Sequence, residues 1–207
     1  MIDTLIALTE TGEFQDCGGL RFLSVQQSPD GLQLELALIP GDGGDEQRWR
    51  IQCGGVHDYR INGESAENLQ VVSKHPILLP FTEQAADLYF SGPAPTPLAI
   101  TGALWERHRQ LAGSWLPFEQ FLNVLPKGLS VLLSASSGQL ASGPVSLMQG
   151  YSEVLADYGV RTSMLQPRPP KVWDGIQWVD PSSRLQALIL TTSYVVAERF
   201  DAVRMAA

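Results

Sequence analysis

From Leu20 onward the chain alternates. Leu32, Leu34, Leu36 and Leu38 are separated by Gln33, Glu35 and Ala37. A two-residue repeat puts the leucines on one face of a strand and Glu35 on the other. Leu20 to Val25 reads as the preceding strand, and Ser28-Pro29-Asp30-Gly31 is turn chemistry, so the pair predicts a hairpin. Trp49, Ile51 and Cys53 alternate with Arg48, Arg50 and Gln52 in a third strand, with Trp49 turned to the core. Val56, Tyr59 and Ile61 predict a short fourth strand, and Leu69–Ser73 and Ala86–Phe90 add two more. Short strands broken by turn signals predict an antiparallel sheet or sandwich over residues 14–91.

Residues 91–97, Ser-Gly-Pro-Ala-Pro-Thr-Pro, carry three prolines in five positions and interrupt any central strand. They mark a boundary between residues 1–92, mainly antiparallel β, and residues 98–207, a mixed α/β region. The two are either separate domains or one continuous domain.

Past the prolines the period becomes helical. Leu104, His108, Leu111, Trp115, Phe118 and Leu122 step by fours and threes along one face, with Thr101 as a candidate N-cap. Gly113 and Pro117 divide the stretch, predicting a helix to about Trp115 and a second that starts at Pro117 and ends at Lys127-Gly128. Leu129–Leu133 reads as a buried strand and Ser134–Gly138 as a polar loop leading into a helix. That helix opens at Gly143-Pro144, capped by Ser142 or Gly143. It shows Leu147, Met148, Tyr151, Val154, Leu155 and Tyr158 on one side and closes at Gly159. With Val160–Leu165 as the following strand, a β-α-β crossover is expected. Trp173-Asp174-Gly175-Ile176 reads as a tight hairpin turn. Leu185–Val196 reads as a long strand rich in β-branched residues, and residues 197–205 as a terminal helix or an edge strand. The fold class is α+β.

The net charge of −8 is uneven. Residues 1–97 hold 14 Asp/Glu and 5 Lys/Arg, net −9, whereas residues 98–207 hold 8 and 9, net +1. Acidity of this size disfavours general nucleic-acid binding, which needs a basic surface. Asp30, Glu35, Asp42, Asp45 and Glu46 form an acidic run with no intervening base. They are candidate contacts for a basic protein partner. Trp173 and Trp178 flank the predicted hairpin turn and are candidate interface anchors.

Other chemistry is sparse. His57, His75 and His108 lack metal-ligand spacing, and Cys17 and Cys53 lack CxxC partners, so no metal or cofactor is expected. The two cysteines read as reduced, partly buried thiols. His57 and Asp58, adjacent in a strand, would face opposite sides. His108 on an apolar helix face reads as a hydrogen-bonded core histidine. Ser134, Ser136 and Ser137 lack the Gly-x-Ser-x-Gly spacing of a nucleophile elbow. Glu153 and Asp157 read as a solvated helix face. No apolar run reaches the length of a membrane span, and the first residues lack a basic signal-peptide region, so a cytoplasmic location is expected.

The reading that joins these features is a non-enzymatic protein-binding module, of which an immunity- or antitoxin-like inhibitor of a basic protein is one form. Two alternatives use other features. One is a hydrolase or transferase pairing His57 or His108 with Ser134, Ser136 or Ser137. The other is a structural subunit that lends residues 185–196 as a strand to a neighbour.

Overall fold

A computed structural model describes all residues except Met1, Gly12, Glu13, Gln15, Cys17, Asp30, Asp42, Gly43, Gln166, Asp174, Gly175 and Ala207. The chain is α+β and divides into two compact units, residues 1–78 with 182–207, and residues 79–181. The proline-rich stretch 91–97 therefore lies inside the second unit.

In the first unit the alternating leucines do what their period requires. β1 (Gly19–Ser28) pairs antiparallel with β2 (Gly31–Ile39), Ser28 opposite Gly31, and β2 pairs with β3 (Gln47–Gly54). Leu32, Leu34, Leu36, Ile51 and Cys53 are fully buried on the inner face. β14 (Arg199–Arg204) and β5 (Ser65–Ala66) complete a five-stranded sheet in the order β14-β3-β2-β1-β5. A second sheet has the order β4-β13-β12-β6. It is built from β4 (Asp58–Arg60), β6 (Gln70–Val72), β12 (Gln186–Leu190) and β13 (Ser193–Ala197). Its Leu188, Leu190, Val195 and Ala197 join the leucines of β2 in one hydrophobic core, so the unit is a sandwich. An apolar sheet face must be covered, and here β12 and β13, from the far end of the chain, supply the central strands of the cover.

Two features of this unit depart from expectation. Ile2–Thr9 is a helix, α1, whose Leu5 is fully buried. Residues 185–196 are a hairpin rather than one strand, because Thr191 adopts φ 53° at the turn. A β-branched residue there is strained. The turn is held by the Thr191 N–H donating to Asn68 Oδ1 at 2.9 Å and by Glu67 N–H donating to Thr191 Oγ1 at 2.8 Å. Residues 199–204 form the edge strand, the second of the two readings for the C-terminal segment.

The second unit opens with a short helix, α2 (Leu79–Thr82), and centres on a three-stranded sheet in the order β8-β7-β9. β7 (Ala85–Ser91) is antiparallel to both β8 (Ser137–Pro144) and β9 (Arg161–Met164). The two outer strands are thus parallel to each other and are joined by a helix, numbered below. The crossover exists, but it is split by β7, and its first strand is 137–144 rather than 129–133. The remaining helices are α3 (Pro97–Ala112), α4 (Pro126–Leu133) and α5 (Val145–Asp157), the last being the crossover helix.

Several expectations fail here for local reasons. Pro97 is the first residue of α3, where its missing N–H costs nothing, so the prolines start the helix. Thr101 is not its cap, because its hydroxyl donates to Pro97 O inside the helix. Pro117 precedes only a 3-10 turn, Phe118–Gln120. Leu129–Leu133 is helical: Pro126 again opens the helix, Leu129 and Leu133 are buried, and Val131 between them is exposed. Neither Ser142 nor Gly143 caps α5, since both belong to β8. Gly159 does take the positive φ expected of a helix end, 72°.

Because β12 belongs to the same core as β2, Leu188→Ala and Leu34→Ala should each cost about 2–5 kcal/mol of unfolding free energy in denaturant titrations. A loss at Leu188 far smaller than at Leu34 would place the C-terminal hairpin outside that core.

Candidate functional site

The acidic run is only partly available as free charge. Asp30 and Asp42 lie outside the described residues. On β2, Glu35 points to the outer sheet face, and Arg50 on the neighbouring strand donates to its Oε1 at 2.9 Å. Glu46 accepts from Arg21 at 2.7 Å and has Arg48 at 3.6 Å. The arginines that alternate with Trp49 and Ile51 are therefore on the same face as the acids and pair with them. Asp45 is exposed. Counted by unit rather than by half, the first holds 14 acids and 8 bases, net −6, and the second 8 and 6, net −2. Arg184, Arg199 and Arg204 return with the C-terminal strands and dilute the acidity.

The tryptophans are better placed. β10 (Val172–Trp173) pairs with β11 (Trp178–Val179), with Trp173 directly opposite Trp178. The expected turn at Asp174-Gly175 lies outside the described residues. The two indoles meet edge to face with centroids 5.7 Å apart, the geometry the ring quadrupoles favour. They are 54% and 66% exposed, and Ile176 beside them is 85% exposed. At the hairpin base Lys171 Nζ donates to Asp180 Oδ1 at 2.7 Å. Val172 is buried and anchors the strand. The two indoles form a small exposed apolar surface.

His108 is fully committed to the fold. It is 1% exposed on α3. Its Nε2 donates to Leu116 O at 2.7 Å, and its Nδ1 faces Tyr151 Oη at 2.7 Å, with the Phe118 and Phe121 rings alongside. The Leu116 carbonyl can only accept, so Nε2 carries the proton and Nδ1 accepts from Tyr151 in the neutral ring. Among the described residues no serine is hydrogen-bonded to it. Ser134 Oγ donates to Ser130 O on α4. His57 belongs to the other unit from Ser134, Ser136 and Ser137. Glu153 pairs with Arg107 at 2.6 Å. Cys53 is a buried free thiol, and burial pushes it up to about 12, which leaves it unreactive. Among the described residues no group of three His, Cys, Asp or Glu side chains is arranged to hold a metal ion.

His57 and Asp58 do border one cleft, contrary to the strand argument. β4 begins only at Asp58, and His57 lies ahead of it, where alternation does not apply.

One cluster gave no local signal. Arg168 donates through both terminal nitrogens to Asp87 at 2.9 Å each, and Ser142 Oγ donates to the same carboxylate at 2.6 Å. The Arg168 guanidinium and then the Ser142 hydroxyl hold the Asp87 carboxyl below the usual range. The partners are 81 and 55 residues apart in sequence. Their role is to clasp the extended segment after β9 to the sheet.

Compared with known proteins, the chain matches no family model, no curated sequence and no solved structure.

Burial lowers the His108 pKa below its ordinary 6.5, outweighing the Leu116 hydrogen bond and the Glu119 charge that raise it. The unfolded chain therefore binds protons below about pH 6.5 that the folded chain refuses, and stability falls as the pH drops through that value. Urea titrations at about pH 7.5 and about pH 5.5 should show this loss, and His108→Gln should remove its histidine-dependent part. Tyr151→Phe leaves Nδ1 buried without a donor and should cost about 1–3 kcal/mol in the same titrations.

Proposed function

We propose that this chain is a non-enzymatic protein-binding module, acting as an immunity- or antitoxin-like inhibitor that recognises a basic protein. The observation that carries this reading is the exposed Trp173–Trp178 pair on its own two-stranded hairpin. Exposed apolar surface is a cost that a folded chain usually hides, and large aromatics are the side chains that most often anchor an interface. The indoles already hold each other in a preferred geometry, so little side-chain entropy is lost when a partner covers them.

The net −6 of the first unit supports a basic partner by long-range attraction, in which the whole unit contributes rather than residues 30–46 alone. A cation arriving at Glu35 or Glu46 competes with Arg50, Arg21 and Arg48 for the same oxygens. The apolar anchor then supplies affinity, and the charge supplies encounter rate and salt sensitivity. The strand-lending alternative loses its basis, because β12 and β13 are each paired on both sides within the chain.

The test is capture of partners on the immobilised full chain at low and high salt, with the double variant Trp173→Ala/Trp178→Ala alongside. A protein partner with a basic surface should be retained at low salt. The double variant should bind it about 2 kcal/mol or more weaker, roughly 30-fold. Equal retention by the variant, or no protein partner at low salt, would overturn the reading.

A further inference from the structure

Three asparagines occur in the chain, Asn62, Asn68 and Asn123, and only Asn62 is followed by glycine. An asparagine side chain can be attacked by the main-chain nitrogen of the next residue, and glycine, without a Cβ, crowds that attack least. We infer that Asn62-Gly63 is a self-modifying site. The Gly63 nitrogen, having given up its proton, bonds to Asn62 Cγ and closes a five-membered succinimide ring. The Cγ–Nδ2 bond breaks, and Nδ2 leaves as ammonia with that proton. Water then adds to one of the two ring carbonyls and breaks its bond to nitrogen. The product is aspartate or its β-linked isomer, isoaspartate, according to which carbonyl is opened.

The fold leaves this attack open. Asn62 and Gly63 are both exposed and lie in the connection between β4 and β5. Gly63 has φ +77°, and a Cβ placed on it would meet nothing within 4 Å, so the space around it is open. The attacking nitrogen must lose its proton, and a hydrogen bond would hold that proton in place. Among the described residues nothing accepts from the Gly63 N–H. The Asn62 amide is held by Nδ2 donating to Thr192 O at 3.1 Å. An exposed hydrogen bond contributes little net, because water replaces it, so the side chain is free to turn toward the Gly63 nitrogen.

The other two asparagines supply the contrast. Asn68 belongs to the same loop, but the buried Leu69 follows it, and its Oδ1 accepts from the Thr191 N–H at 2.9 Å. Asn123 is followed by the β-branched Val124, and its own N–H donates to Leu140 O at 3.0 Å. In both, the attacking nitrogen carries a full side chain that crowds ring closure.

The site lies where the change has a structural consequence. Asn62 N–H donates to Ser193 Oγ at 2.8 Å, and the fully buried Ser193 donates back to Asn62 O at 3.1 Å. With Glu67 and Asn68 on Thr191, the loop 62–68 pins the β12–β13 turn. Either product has lost Nδ2, so Thr192 O loses its donor, and either adds a negative charge at the turn. Isoaspartate also routes the main chain through Cβ and lengthens it by one carbon just ahead of β5, whose Ser65 and Ala66 pair with β1. The modification therefore loosens the loop that holds Thr191 at its positive φ.

The test is peptide mass mapping of the full chain after prolonged warm incubation in mildly alkaline buffer. Trypsin cuts after Arg60 and Lys74, so Asn62 and Asn68 fall in one peptide, and fragmentation assigns the mass gain of an amide turned acid to either. Asn62 should convert about tenfold or more faster than Asn68. Isoaspartate should accompany aspartate at position 62, and mildly acidic buffer should slow the conversion. Asn62→Gln, one carbon too long for a five-membered ring, should show no gain at that position. Asn62→Asp carries the product's charge from the outset and should unfold at a lower urea concentration than the parent chain. Conversion at Asn62 that is absent, no faster than at Asn68, independent of pH, or free of isoaspartate would overturn the inference. Equal urea midpoints for Asn62→Asp and the parent would overturn its structural consequence. The outcome is independent of partner capture through the Trp173–Trp178 hairpin.

Discussion

The inner face of β1–β3 is a sheet of leucines that cannot remain in water. Leu20, Leu32, Leu34, Leu36 and Ile51 are all buried to within 1%. Burying side chains of this kind is worth about 1.5–3 kcal/mol each, an upper estimate that nonetheless dominates any local term. Nothing within residues 19–54 can cover that face. Much of the cover arrives from Leu188, Leu190, Val195 and Ala197, more than a hundred residues later, with Leu5, Phe14 and Leu69 in the same core. Closing the sandwich requires the chain to come back after the second unit is complete. The division into units, the strained turn at Thr191 and the dilution of the acidic charge all follow from that return.

The polar chemistry mostly serves the same end. His108, Tyr151 and the Leu116 carbonyl form a closed set inside the second unit, with each hydrogen-bonding group of the ring matched. Asp87, Ser142 and Arg168 clasp an extended segment to the sheet. Asn68 and Glu67 hold Thr191 in a conformation that it would not choose alone. His108 and Asp87 are thus held in structural bonds. Among the groups left exposed are the two indoles of the β10–β11 hairpin.

The candidate site was partly legible. Trp173 and Trp178 were readable as hairpin residues because they flank Asp174-Gly175, and their exposure agrees with that placing. The pairing of Glu35 with Arg50 was readable in principle, since both lie on the polar side of a period-two pattern. The cleft was not readable. Its described lining comes from residues 27–29, 31–32 and 55–59, and whether they meet depends on the registers of β2 with β3 and of β4 with β13. Strand alternation does not govern His57, because β4 starts only at Asp58.

By itself the sequence determined the elements whose burial pattern is local. The alternating leucines of β2, the arginine-flanked core residues of β3, the Leu147–Leu155 face of α5 and the αL glycine after it all follow from side-chain period and backbone sterics. It also determined the α+β class. Only the tertiary structure decided that Leu129–Leu133 coils, that residues 185–196 fold back at Thr191, that β7 splits the crossover, and that the C-terminal strands finish the N-terminal sheet. Short apolar runs satisfy either period equally well. Which one they adopt is set by the surface that needs covering, and that surface is assembled from residues far away in the chain.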